Sequence, residues 1–244
     1  MKFRNRLAYL RQAGRALAQR PNRATLVYAV RYARRCILTC ERPQPDFLSE
    51  PRPWMCFPAV EQLERLLTPA SKVFEYGSGG STIFFAQRVA EIVSVEHDRR
   101  WYERILREIG RHQLTNIRYE LVEPEASSTF DRSRIADPHA YVSDDESYIG
   151  KTFRRYAQAI DRFPDQYFDV VVVDGRARPS CILHAREKVK SGGVLILDQS
   201  ERPYYLSKSE SLIDRAQWRN VRYMAPQPCY LHFTEATFFY RGEP

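Results

Sequence analysis

The chain has 244 residues, 43% hydrophobic and 13% aromatic, enough apolar mass for one sizeable core and too much for a disordered chain. It carries 38 Lys and Arg against 30 Asp and Glu, a net +8, yet residues 1–46 alone net +9 and the remainder nets −1. The basic excess therefore belongs to an N-terminal segment and not to a cationic groove, and nucleic acid is not an expected partner. No run reaches the roughly 18 consecutive apolar residues of a membrane span. Cys36, Cys40, Cys56, Cys181 and Cys229 are odd in number and form no C-x-x-C pair, which implies free thiols and a cytoplasmic setting.

Residues 3–18 read as a helix with Phe3, Leu7, Leu10 and Leu17 on one stripe and Arg4, Arg11 and Arg15 beside it. After Pro21, Asn22 can cap a second helix to about Cys40, with Leu26, Val27, Val30, Ala33 and Ile37 as a rougher apolar face. Arginines interrupt every apolar stretch, against a cleaved secretory signal. Such helices either pack on their own domain or make a peripheral contact with an anionic membrane through residues 1–40. Five prolines between Glu41 and Pro58 then stop the helix. The expected division is a basic helical extension over 1–46, a linker over 47–58 and an α/β domain over 59–244.

Beyond Pro58 short β-branched runs alternate with helical periodicity. A short helix carries Val60, Leu63, Leu66 and Leu67; strands are expected at 72–76, 92–96 and 117–122, with helices at 82–89 and 99–113 between them. A helix near 152–163 precedes strand 168–174, and a helix at 180–189 leads into strand 194–198. Further strands fit 219–224 and 236–240. Val170 to Val173 do not alternate with polar residues, the mark of a parallel strand buried on both faces. The fold class is α/β, a doubly wound and mostly parallel sheet. The polar stretch 123–150, with Asp131, Asp137, Asp144, Asp145, Tyr141 and Tyr148, is long enough to form a lid or an acceptor wall. Trp54 either covers a ligand or anchors the linker.

Gly77, Gly79 and Gly80 follow a strand and precede a helix, where a sharp turn beside a ligand calls for positive φ and no Cβ. Thr82 stands where a dinucleotide G-x-G-x-x-G motif needs its third glycine, and no lysine completes a P-loop. Glu96 ends the second strand, where a carboxylate can accept both hydroxyls of a ribose.

The stretch Glu75-Tyr76-Gly77-Ser78-Gly79-Gly80 resembles motif I of the class I S-adenosylmethionine-dependent methyltransferases. Ser94 to Asp98 resembles their acidic second-strand motif, Phe168 to Gly175 their fourth-strand motif, and Ser191 to Asp198 the turn and strand that follow. The resemblance covers about residues 54–241 and implies a Rossmann-like methyltransferase fold with S-adenosylmethionine as cofactor. It implies that Glu75 holds the methionine ammonium through water, that Gly77, Ser78, Gly79 and Gly80 admit the cofactor, and that Ser81 and Thr82 meet its carboxylate. Glu96 would take the ribose and Asp174 would stand beside the sulfonium.

Methylation of a hydroxyl also requires its proton to be removed. Asp174 and Asp198 close adjacent strands and are the expected catalytic carboxylates. The pair resembles the divalent-metal catechol type of methyltransferase, but Gln199 replaces the usual Asn and Ala177 the expected Lys. A metal-free site is the favoured reading, with a divalent cation second. Arg176 and Arg178 could clamp an acidic acceptor. The expected activity is O-methylation of a small-molecule or saccharide acceptor. The alternatives are a non-catalytic methyltransferase-like binding module docked through its basic helices, and a nicotinamide-dependent oxidoreductase.

Overall fold

The computed structural model describes residues 2–41, 48 and 50–242. The expected junction at 46/47 lies outside the described residues.

Two helices, α1 (Lys2–Gln19) and α2 (Arg23–Glu41), form an N-terminal hairpin. Asn22 caps α2 by accepting from the Thr25 amide at 2.9 Å. Helix α3 (Phe57–Leu66) starts with Pro58 in its first turn, where a missing N–H costs nothing. There follow β1 (Lys72–Tyr76), α4 (Gly80–Ala86), β2 (Glu91–Glu96), α5 (Arg99–Arg111) and β3 (Ile117–Leu121). A small pair, β4 (Glu125–Ala126) and β5 (Lys151–Thr152), brackets the long polar segment. The rest comprises α6 (Arg154–Gln158), β6 (Phe168–Val173), α7 (Arg178–Ala185), β7 (Val189–Leu197), α8 (Pro203–Leu206), β8 (Trp218–Pro226) and β9 (Phe233–Arg241).

Seven strands make one sheet in the order β3-β2-β1-β6-β7-β9-β8, parallel except for β9, which runs antiparallel to both neighbours. The order reverses between β1 and β6, so a crevice opens at their carboxyl ends. The valines of β6 are all buried: Val171 and Val173 enter one core with Phe74, Tyr156 and Leu195, and Val170 and Val172 the other with Leu63, Phe84 and Ile196. Both faces of the sheet are covered, as the unbroken apolar run requires.

Two expectations change. The helix expected over 152–163 survives only as α6, because Thr152 pairs with Glu125 in the small sheet and the chain turns after Gln158. The aliphatic stripe of the N-terminal helices is not their buried face. Tyr9, Ala13 and Ala16 of α1 and Ala29, Tyr32 and Cys36 of α2 are buried, while Leu7, Leu10, Leu26, Val27 and Val30 are exposed. The aromatic contacts decide this: Tyr9 packs on Phe233 at 5.6 Å between centroids and Tyr32 stacks on Phe57 at 5.4 Å. Among the described residues no helix is long and apolar enough to cross a membrane.

The hairpin is also locked by an ion pair whose carboxylate is buried and whose arginine is about a third exposed. Arg20 Nε lies 2.5 Å from Oε2 of Glu235, whose side chain is wholly buried on β9. Arg20→Leu strands that carboxylate and should cost about 3 kcal/mol, whereas Arg20→Leu combined with Glu235→Leu should regain most of the loss. Urea unfolding of the two variants at neutral pH measures the difference.

Candidate active site

The site is built on a crossing of two loops. Gly77, after β1, has φ +89°, and a Cβ there would lie 2.8 Å from the Cα of Gly175 after β6. A Cβ on Gly175 would in turn strike the Tyr156 hydroxyl at 2.0 Å. Gly79 differs: its φ of 175° is ordinary extended backbone, and the nearest atom to an added Cβ is Ser81 Oγ at 3.9 Å. Of these two, only Gly77 needs positive φ, while Gly79 leaves open space. The Gly79 amide donates to Thr82 Oγ1 at 2.9 Å and the Thr82 amide returns to the Gly79 carbonyl, which closes the turn into α4.

Glu75 lies beneath this turn and not in the cavity above it. It is 1% exposed, and its carboxylate accepts from the hydroxyls of Thr82 (2.6 Å), Ser94 (2.7 Å) and Ser81. Burial pushes it up to about 7, against the lowering effect of those three hydroxyls. Thr82 is likewise buried, with its hydroxyl and its amide both engaged, and the Ser81 hydroxyl is turned down onto Glu75. Gly77, Ser78, Gly79, Gly80 and Ser81 line the cavity.

Glu96 ends β2 and lines the same cavity. One carboxylate oxygen accepts from the Ser78 amide (3.0 Å) and hydroxyl (2.9 Å), the other from the amides of His97 (2.7 Å) and Asp98 (2.9 Å). His97 Nδ1 approaches to 2.8 Å, off the line of a hydrogen bond. Burial works to raise its pKa, but His97 and the backbone N–H groups outweigh it and hold the carboxylate below its usual range. Of the four donors only the Ser78 hydroxyl, which also meets the Tyr119 hydroxyl at 2.7 Å, can rotate away.

The cavity, of about 500 Å³, continues past Gly175 to Asp174 and Arg176. Aromatic rings wall it: Trp54, Trp101, Tyr148 and Tyr230. Trp101 is fixed by its indole N–H to the Ser78 carbonyl at 2.8 Å, and Trp54 packs edge-on against Tyr230 at 5.6 Å. Tyr148 comes from the long polar segment, as does Asp145, which pairs with Arg176 at 2.8 Å. Asp131 and Asp137 instead close surface turns, and Tyr141 is buried beside His184. Arg52, His97, Asp98 and Tyr230 were not singled out by sequence. His97 and Asp98 directly follow Glu96, a local signal, whereas Tyr230 arrives from the β8–β9 connection with none.

Asp174 and Asp198 do meet, but only Asp174 lines the cavity; Asp198 is 1% exposed behind it. Between them lies Arg178, itself buried, which donates to the Asp174 carboxylate at 2.9 Å and to the backbone carbonyls of Gly175 (3.1 Å) and Asp198. Arg178 is thus a strut and not a clamp for an acceptor. Burial and the charge of Asp174 push Asp198 well above the usual carboxylate range; burial also raises Asp174, opposed by Arg178. Asp198 Oδ1 has no partner among the described residues. No cluster of three metal-ligating side chains occurs among the described residues, and the guanidinium already supplies the counter-charge a cation would bring.

Glu75 fixes a pH dependence. An acid whose pKa is about 7 in the fold and about 4.5 when exposed binds an extra native proton between those values. The native state therefore loses stability as pH rises through this window, by an amount of order 3 kcal/mol. Glu75→Gln should abolish that loss while Asp174 and Asp198, also raised by burial, still contribute theirs. Urea unfolding of both proteins at about pH 5 and about pH 7.5 reads the difference.

No family model matches the sequence, and no curated protein does. Solved structures do match. A candidate rRNA methylase from Clostridium thermocellum superposes with a TM-score of 0.53 at 11% identity, over 78% of this chain and 97% of its own. The tRNA (m1A58) methyltransferase of Aquifex aeolicus gives 0.51 at 13% identity, over 83% of this chain and 78% of its own. A methyltransferase-like protein from Silicibacter pomeroyi is 24% identical over 79% of this chain and 91% of its own, with a TM-score of 0.49. At these identities the likeness is one of architecture, and the chain has the Rossmann-like fold of the class I methyltransferases.

Proposed function

We propose that the chain is an S-adenosylmethionine-dependent methyltransferase acting on a hydroxyl of a small-molecule or saccharide acceptor. The observation that carries the reading is the cavity of about 500 Å³ where the Gly77–Gly80 turn, Glu96 and Asp174 converge at the point of strand-order reversal. The fit to the cofactor rests on two features: the open space over Gly79, and a buried carboxylate beside it, held ionised at Glu96.

When bound, the cofactor supplies a sulfonium methyl group to an in-line nucleophile. Glu96 and Ser78 would hold the ribose, and Trp101 and its aromatic neighbours offer stacking faces. Glu75, Ser81 and Thr82 act indirectly, by keeping the turn in shape. Asp174 is the carboxylate that can reach an acceptor proton. Asp198 lies behind it with a raised pKa, and Arg178 fixes the orientation of Asp174. Arg52 and Arg176 with Trp54, Tyr148 and Tyr230 offer polar and stacking contacts to a hydroxylated acceptor. Thr82 speaks against a nicotinamide cofactor, since its side chain is locked to Glu75 where that motif needs a third glycine. The RNA substrates of the structural neighbours are not carried over, because residues 47–244 net −1.

Gly79→Arg is a clean test, because extended backbone and open space let the side chain enter without strain. It should leave the unfolding midpoint unchanged and abolish cofactor binding by calorimetric titration; unaltered affinity would refute the site. Asp174→Asn keeps an acceptor for Arg178 and should bind cofactor normally while lowering kcat about 100-fold. Cofactor binding without transfer to any hydroxylated acceptor would favour the binding-module alternative.

A further inference from the structure

The N-terminal hairpin buries alanines and tyrosines and exposes leucines and valines. Leu10 and Val30 are 64% and 72% exposed, whereas Ala13, Ala16 and Ala29 are buried. This inverts the usual surface helix, whose bulky aliphatics face the core. Leu10 and Leu17 of α1 and Leu26, Val30 and Ile37 of α2 line one open groove of about 860 Å³.

Its border is cationic. No acid occurs in residues 2–40. Arg20 is paired with Glu235, and Arg31 and Arg35 with Glu61. Arg4, Arg6, Arg11, Arg15, Arg23 and Arg34 are exposed and have no ion pair among the described residues. The fold thus consumes three arginines and leaves six on the hairpin, of which Arg6 and Arg34 line the groove itself.

We propose that this face lies on an anionic lipid surface, with Leu10, Leu26 and Val30 entering the acyl boundary and the free arginines reaching lipid phosphates. Apolar ridges flanked by long basic side chains are the pattern of interfacial helices. A second copy of the same face would set arginine against arginine. A nucleic acid would satisfy the arginines and leave the leucines wet. The inference stands apart from methyl transfer, since none of these residues lines the cavity. The two regions are nonetheless tied: the Cys36 thiol donates to the Tyr230 carbonyl at 3.4 Å, and Thr39 Oγ1 accepts from the Cys229 amide at 3.2 Å. The end of α2 thereby holds the loop whose Tyr230 lines the cavity.

Co-sedimentation of the full chain with phosphatidylcholine vesicles, with and without phosphatidylglycerol, tests the proposal. Binding should require the anionic lipid and weaken with added salt. Leu10→Glu with Val30→Glu, and separately Arg11→Gln with Arg15→Gln and Arg34→Gln, should each weaken it about tenfold or more, at unchanged unfolding midpoints. Absent binding, equal binding to neutral vesicles, or variants that bind like the parent would overturn it. So would analytical ultracentrifugation showing a dimer that Leu10→Glu with Val30→Glu dissociates, or RNA binding that outcompetes the vesicles.

Discussion

Two backbones meet at Gly77 and Gly175 with no room for a side chain between them, and the candidate site follows from that contact. The Gly77 amide donates to Val95, the Asp174 amide to Tyr76 and the Asp198 amide to Val173, so the parallel ladder continues past the ends of β1, β6 and β7. Four neighbouring strands are thereby held in step. Their acids, Glu96, Asp174 and Asp198, fall level with Gly77 in a row along the carboxyl edge of the sheet, and Glu75 lies two residues deeper on β1.

The chemistry of that row is set by what each carboxylate is given to bond. Glu96 receives backbone N–H groups and the close approach of His97, and stays ionised. Glu75 receives only hydroxyls, which can donate or accept, so burial prevails and it titrates near 7. Asp174 has Arg178 and an opening to the cavity, whereas Asp198 has an unpartnered oxygen and a carboxylate neighbour. Like residue types at like positions thus take different protonation states, a separation that acid–base chemistry can use.

Much of this was legible in the sequence, for local reasons. A strand buried on both faces must be unbroken in valine, and an acid or glycine at its end is readable by position alone. Gly77 could be read as a turn glycine, but the extended φ of Gly79 could not, since the sequence does not say which glycine faces open space and which faces a backbone. The inward turn of Ser81 and Thr82 was hidden too: hydroxyls at a helix start serve a ligand or a buried acid equally well, and only the depth of Glu75 decides. Tyr230 reaches the cavity through antiparallel pairing some 150 residues from Gly77, beyond any local signal. Likewise Thr152 is claimed by β5, against its helical neighbours.

The N-terminal hairpin shows the same limit in another form. On α1 the buried set Tyr9, Ala13 and Ala16 and the outward set Leu10, Gly14 and Leu17 are one residue out of step. On α2 the same offset separates buried Ala29 from exposed Val30, while Ala33 and Ile37 sit at the margin, partly buried against the inner cluster. One residue is about 100° of rotation, so a roll of that size in both helices would bury the leucines instead. Burying a leucine or valine fully is worth about 1.5–3 kcal/mol, and a free hairpin would take that gain. It is prevented by fixed points on the inner face: Tyr9 on Phe233 with its hydroxyl on the Ala29 carbonyl, Tyr32 between Phe57 and Glu61, and Arg20 on Glu235. These contacts hold the hairpin in an orientation that forgoes aliphatic burial within the chain, and the forgone stabilisation is recovered only when something apolar covers the outer face.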